Sequence, residues 1–299
     1  METERHPSRL KERSGSPLKS RNHKEYPRAR EYILVEYETA PGVTVENLQQ
    51  VRAVYDNSNG HWELHLVCKD EVETPDAPGT ETAGIDLGIC NFATVAYSTE
   101  EADLYPGNRL KQDGYYFPKE IAKCDDSGGE EATRLHAKWS ERRTHFFHSL
   151  AKHIVQRCVE NQVGRINVGD LGGIREDEDG SSKNWGRHGN LDLHGWAFDR
   201  FTDLLEYKAK VEGIEVVEVS ERDTSKTCCM CGREDGSQRV ERGLYVCEEC
   251  DAAFNADVNG AENIRLDMNE SNSESSASLD EDRSTGWLAQ PGVYLHDLS

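Results

Sequence analysis

Thr224-Ser-Lys-Thr-Cys228-Cys-Met-Cys231-Gly232, then Cys247-Glu-Glu-Cys250, then Phe254-Asn-Ala-Asp257-Val-Asn259-Gly-Ala-Glu-Asn263-Ile264: these stretches decide how the chain folds. Two CxxC knuckles separated by fifteen residues are the spacing of a four-thiolate zinc site. Four thiolates close the coordination sphere, so the ion has no open position for chemistry and serves as scaffold. Cys228, Cys231, Cys247 and Cys250 are the expected ligands, and Cys229 is a competitor inside the first knuckle. The other reading of the four is two disulfides or plain core residues. No signal peptide or long apolar run precedes the fold, which points to a reducing cytoplasm and disfavours disulfides. Cys68, Cys90, Cys124 and Cys158 are scattered and read as core or half-buried thiols.

Working outward, Ala256 to about Arg265 reads as a short helix with Asp257 at its start, and Ile214-Glu-Val-Val-Glu-Val219 before the knuckles reads as a strand. Trp196 to Val211 is amphipathic through Phe198, Phe201, Leu204, Leu205 and Tyr207 and ends at Gly213. Glu130 to about Gln162 carries Leu135, Trp139, Phe146, Phe147, Leu150, Ile154 and Cys158 at helical spacing. Arg165 to Leu171 reads as a strand and Gly172 to Leu193 as a polar loop. Gly84-Ile-Asp86-Leu-Gly88 is a short buried strand with one acid, and Phe92 to Tyr97 its hairpin partner. Residues 51–68 form a second hairpin around Asn57-Ser-Asn-Gly60, Tyr32 to Tyr37 a strand, and 71–82 a linker. The boundaries expected are a basic disordered N-terminus at 1–31, a β segment with linker at 32–80, an α/β unit at 81–266 that contains the zinc knuckles at 224–255, and an acidic disordered tail at 267–299.

The chain has 35 Lys and Arg against 56 Asp and Glu, a net charge of −21. That is the wrong sign for a general nucleic-acid binder. Either no polyanion is bound, or the acidity is a halophilic adaptation and local basic patches do the binding. Residues 1–30 carry +5, leaving −26 on the remainder. Arg134, Lys138, Arg142 and Arg143 concentrate charge on the long helix: a solvated face, or a phosphate-contacting patch. No apolar run is long enough to span a membrane.

Asp86 sits between Ile85 and Leu87, where a lone carboxylate is costly unless it is paired or binds a cation. A turn or a capped acid is the plainer account. If Asp86 and Asp257 meet with one more carboxylate, they can hold two divalent cations for phosphodiester cleavage, and oxygen ligands favour Mg²⁺ or Mn²⁺.

The motifs around Asp86, the 196–213 segment, the knuckles and Asp257–Ile264 occur in an order that resembles the TnpB/OrfB family. These are insertion-sequence proteins long described as transposases and related to type V CRISPR effectors. The resemblance implies a ribonuclease H-like, RuvC-type mixed sheet with flanking helices and an inserted zinc ribbon. It implies a transposon-associated, RNA-guided DNA endonuclease, with DNA and a guide RNA from the transposon end as partners. Asp86 and Asp257 correspond to the first and last catalytic acids. The family's middle Glu, at a strand end, falls on Gly169. Glu176 is the first candidate to replace it and Asp170 the alternative, although one residue along a strand points to the opposite face. A third outcome is a protein that binds nucleic acid without cutting. The region before residue 83 is short for the family, which suggests an N-terminally shortened copy.

Overall fold

The computed structural model describes residues 11–12, 35–36, 45–56, 60–69, 73–170, 198–241, 243–266 and 286–294. At the N-terminal side, Lys11–Glu12 (β1) pairs with Val35–Glu36 (β2), the part of the expected 32–37 strand that is described. Leu48–Asp56 (β3) and His61–Cys68 (β4) form the expected antiparallel hairpin.

The body of the protein is a six-stranded mixed sheet built from Glu81–Leu87 (β5), Asn91–Tyr97 (β6), Glu101–Pro106 (β7), Val163–Asp170 (β8), Glu215–Ser220 (β9) and Gly292–Val293, in the order Gly292–Val293, β7, β6, β5, β8, β9. β5, β6 and β7 are antiparallel neighbours joined by tight turns. β8 and β9 run parallel to β5 and are reached through helical crossovers. β5 sits mid-sheet, and its Ala83, Ile85 and Leu87 are buried.

One face of the sheet is covered by Glu130–Glu160 (α2) and Phe198–Val211 (α3). Their aromatic stripes close on Phe92, whose ring centroid lies 5.0–5.7 Å from those of Phe146, Phe147, Phe198 and Phe201. Full burial of each such side chain contributes roughly 1.5–3 kcal/mol. The sequence predicts this core well because the apolar residues recur with helical periodicity. Asn108–Ile121 (α1) escaped that reading: Gly114 and Pro118 interrupt it, yet Leu110 and Phe117 are buried and Asp113 grips Arg142 of α2 through two bonds of 2.8 and 3.0 Å.

The opposite face carries Ala256–Leu266 (α4) and a three-stranded ribbon of Arg239–Glu241 (β10), Leu244–Cys247 (β11) and Ala252–Asn255 (β12). A second apolar cluster joins Ala102 and Leu104 of β7 to Tyr245, Phe254 and Val258. Within the span expected to be a disordered tail, Gly286–Ala289 (α5) and Gly292–Val293 (β13) are folded. β13 adds in parallel to the β7 edge, Leu288 enters the second cluster, and Tyr294 stacks on Tyr105 at 5.5 Å. Covering an exposed edge strand blocks pairing with other chains. Among the described residues, no helix is long and apolar enough to cross a membrane.

Candidate metal centre and cleft

The four expected cysteines meet. Sγ of Cys228 lies 3.8 Å from Sγ of Cys250, and Cys231 lies 3.6 Å from Cys247. All four sulfurs are within 4.8 Å of one another. A disulfide would need about 2.05 Å, whereas a tetrahedron with metal–sulfur bonds of about 2.3 Å has edges of about 3.8 Å. The donor set therefore fits a single thiophilic ion. Cys229 is buried and serves the helix that follows, its backbone N–H donating to Asn259 Oδ1 at 3.0 Å. Cys158 is buried in the main core, Cys68 and Cys124 are half-buried, and Cys90 is exposed.

The knuckles are tied directly to α4. Asn259 donates through Nδ2 to Thr227 O at 2.8 Å, and Asn263 donates to the carbonyls of Thr224 and Thr227, both at 2.7 Å. Asn259 and Asn263 are fully buried, so these bonds are shielded from water. Glu262, equally buried, is neutralised by Arg265 at 2.7 Å. Asn255 caps the helix, accepting from the backbone N–H groups of Asp257 and Val258 at 3.0 and 3.2 Å.

α4 lies unusually close to β5. A Cβ on Gly84 would fall 2.1 Å from Ala261 O, and one on Gly260 would fall 2.8 Å from Asp86 Oδ2. Glycine at 84 thus admits the backbone of α4, and glycine at 260 admits the Asp86 carboxylate. The contact brings Asp86 and Asp257 to one open cleft of about 880 Å³, lined also by Asn91, Asp170, Glu221, Arg222 and Arg239. Asp257 is oriented from two sides, accepting from Asn91 Nδ2 at 2.8 Å and from Arg239 Nη2 at 3.3 Å. Burial, and then the Asp257 charge, push the Asp86 carboxyl up to about 7, against an opposing pull from Arg239.

Glu221 follows β9 directly and was not singled out from the sequence. Its carboxyl is pushed up to about 8 by burial and by the charges of Asp86 and Asp170. Its Oε1 is buried without a hydrogen-bond partner. A cleft with a buried, orphaned carboxylate oxygen beside two further acids fits oxygen-ligated divalent cations. Asp170 also lines the cleft, from the end of β8, whereas Glu176 lies outside the described residues.

The basic patch is divided. Arg134 and Lys138 are exposed on α2, but Arg142 is held by Asp113 and Arg143 is half-buried, its guanidinium pKa lowered by burial and by Arg200. On the β3–β4 hairpin, His61, Asp56 and Glu63 also cluster, with His61 Nε2 at 3.3 Å from Glu63 Oε1 and 4.0 Å from Asp56 Oδ2. All three residues are partly buried.

Comparison with known proteins identifies two segments. Residues 65–175 match the OrfB_IS605 family, described as a probable transposase. Residues 198–264 match the Cas12f1-like TNB domain. The chain is 27% identical over 248 residues to the TnpB-like protein ORF457 of Acidianus two-tailed virus, covering 72% of this chain and 52% of that protein. It is 24% identical to the CRISPR-associated endodeoxyribonuclease Cas12f1 of Sulfoacidibacillus thermotolerans, covering 71% and 52%. In fold it is similar to the cryo-EM structure of a Cas12f1–sgRNA–target DNA complex, with a TM-score of 0.51, 24% identity, and coverage of 69% of this chain and 53% of that one. The chain spans about half the length of the relatives it matches.

Proposed function

This chain belongs to the TnpB/OrfB family, with an OrfB_IS605 segment followed by a Cas12f1-like TNB domain, and from that premise we propose that it is an RNA-guided, metal-dependent DNA endonuclease. The observation that carries the proposal is the convergence of Asp86 and Asp257 in one cleft, from elements far apart in sequence. The strand order, three antiparallel strands followed by two parallel ones, supports a ribonuclease H-like core. The four-sulfur cluster supports a structural Zn²⁺, and the carboxylate cleft supports Mg²⁺ or Mn²⁺ held by Asp86 and Asp257.

Divalent cations in such a cleft would activate a water molecule and neutralise charge on the scissile phosphate and the departing oxygen. The chain's own residues prepare the site. Asn91 and Arg239 fix the Asp257 carboxylate, so it need not reorganise when a cation arrives. Arg239 presents a guanidinium to the same space, where a phosphate diester would be met by a fork of donors. Gly84 and Gly260 set the depth at which Asp86 meets the cleft. Arg134 and Lys138 would meet the nucleic-acid backbone, and the guide RNA would come from the transposon end.

The test is cleavage of a guide-matched plasmid in Mg²⁺ by the chain co-expressed with RNA transcribed from its own flanking DNA. Asp86→Asn should lower the rate by at least about a thousandfold, because metal-assisted charge stabilisation supplies several kcal/mol. Equal cutting by both proteins would sink the proposal. Gly169 favours a second reading, a binding protein that no longer cuts; retention of the plasmid by the wild type without any cleavage would select it.

A further inference from the structure

We propose that Glu221 supplies the third metal-binding carboxylate of the cleft, delivered from the end of β9 into space left open by Gly169 on β8. The inference rests on the nuclease reading above. Its basis is steric. A Cβ built on Gly169 would lie 2.2 Å from Glu221 Oε1, 2.4 Å from Cγ and 2.7 Å from Cδ. These are distances that no side chain at 169 could share with Glu221 where it stands. One carboxylate can occupy that spot, and here it comes from the neighbouring strand.

The strand geometry explains how. β8 and β9 are parallel, with Gly169 opposite Val219. Glu221 lies two residues beyond Val219, just past the end of β9, and its side chain falls on the face that a Cβ at Gly169 would take. That face is the one toward α4, since Asn167, two residues before Gly169, donates to the carbonyls of Ile264 and Arg265 at 3.3 and 3.0 Å. Adjacent strands are about 4.8 Å apart, a gap that a glutamate side chain spans. Asp170 takes the opposite alternation, next to Ser220. The Glu221 carboxyl thus shares the cleft with Asp86 and Asp257 while its Oε1 lacks a protein donor. A buried carboxylate oxygen without a donor is costly unless a cation takes that role. A glycine inside a strand often marks the close approach of another group, and Glu221 is the group that approaches here.

The test uses Mn²⁺ alone, titrated into the zinc-loaded full chain and read by calorimetry and by electron paramagnetic resonance. Glu221→Gln should weaken Mn²⁺ binding by at least about tenfold, with zinc content and thermal midpoint unchanged. The exchange Gly169→Glu with Glu221→Ala, which returns the carboxylate to β8, should recover most of the affinity. Asp86→Asn is the control for the metal site itself. If Asp86→Asn loses Mn²⁺ binding but Glu221→Gln binds like the wild type, the role of Glu221 is overturned and the metal site stands. If Glu176→Gln reproduces the loss and Glu221→Gln does not, the third carboxylate is Glu176. If the wild type does not bind Mn²⁺ at all, both this role and the nuclease reading fall. A Glu221→Gln protein whose melting midpoint falls together with its affinity, with no recovery in the exchange variant, assigns Glu221 a structural role and overturns the inference as well.

Discussion

The cysteine cluster and the carboxylate cleft are both anchored to α4, and they are built on contrary principles. The cluster draws its four ligands from residues 228–250, two per knuckle, and gathers them within 4.8 Å. The cleft draws its acids from β5, the ends of β8 and β9, and α4, and leaves them facing open space. A closed shell of thiolates satisfies its own ligands, so it holds structure and performs no reaction. Burial, and then the charges of the neighbouring carboxylates, is why Asp86 and Glu221 hold their protons to unusually high pH. The ribbon stabilises the fold locally, and that stability positions an otherwise unfavourable group of charges. α4 is the link, with Asn259 and Asn263 bonded to the knuckle segment and Gly260 against Asp86.

Disrupting the four-cysteine cluster should have the largest effect on structure. Structural zinc contributes on the order of 10 kcal/mol, as much as the stability of a whole domain. Cys247→Ser should therefore drop zinc content well below about one per chain and unfold the ribbon, seen as rapid proteolysis between β9 and α4. Full zinc retention in this variant would refute the four-thiolate site.

Gly84→Val tests whether the cleft depends on the approach of α4. The new side chain meets the Ala261 carbonyl and the Arg265 backbone. Overpacking a rigid neighbour costs about 1–3 kcal/mol or more. The expected result is a lowered thermal midpoint and weaker Mn²⁺ binding with zinc content unchanged; loss of zinc instead would mean that the two regions are not separable in this way.

Asn263→Ala probes the link itself. It removes two buried donors to Thr224 and Thr227, together with an Oδ1 that has no partner of its own. A cost of about 1–3 kcal/mol is expected in denaturant melts, and unchanged stability would show that the ribbon is held by its apolar cluster alone.

The charge of the cleft itself is tested by the pH trend. With Mg²⁺ and Mn²⁺ withheld, Asp86 and Glu221 stay protonated in the folded chain up to about 7 and about 8, against 3.8 and 4.5 as their usual values. The native state then binds more protons than the unfolded one across that window, so stability falls as pH rises from about 5 to 8. Thermal midpoints should decline over this range and recover when Mn²⁺ is added at pH 8; a rising midpoint would contradict the clustering of the acids.

The two regions also differed in how far they could be read before the structure. The cysteine cluster was legible because a closed zinc site takes paired Cys or His side chains at short, fixed spacings. Asp86 and Asp257 were legible as isolated acids in apolar or helix-starting contexts. Arg239 and Asn91 were not, because nothing local marks a residue that orients a carboxylate across the fold. α1 was hidden by Gly114 and Pro118, and the docked segment at 286–294 by the acidic stretch before it. Glu221 left a trace only in reverse, as a glycine in a strand where an acid was expected.

The amino-acid order by itself thus pointed to the four-cysteine cluster and to the helical core around Phe92, since each depends on spacing along one or two elements, whereas Asp86 and Asp257 stood out through the order of motifs around them and were brought into one cleft by the fold. Only the tertiary structure decided which third carboxylate fills the gap at Gly169. That choice depends on the register of β8 against β9 and on the clearance between side chains from neighbouring strands, and no spacing along the chain encodes either.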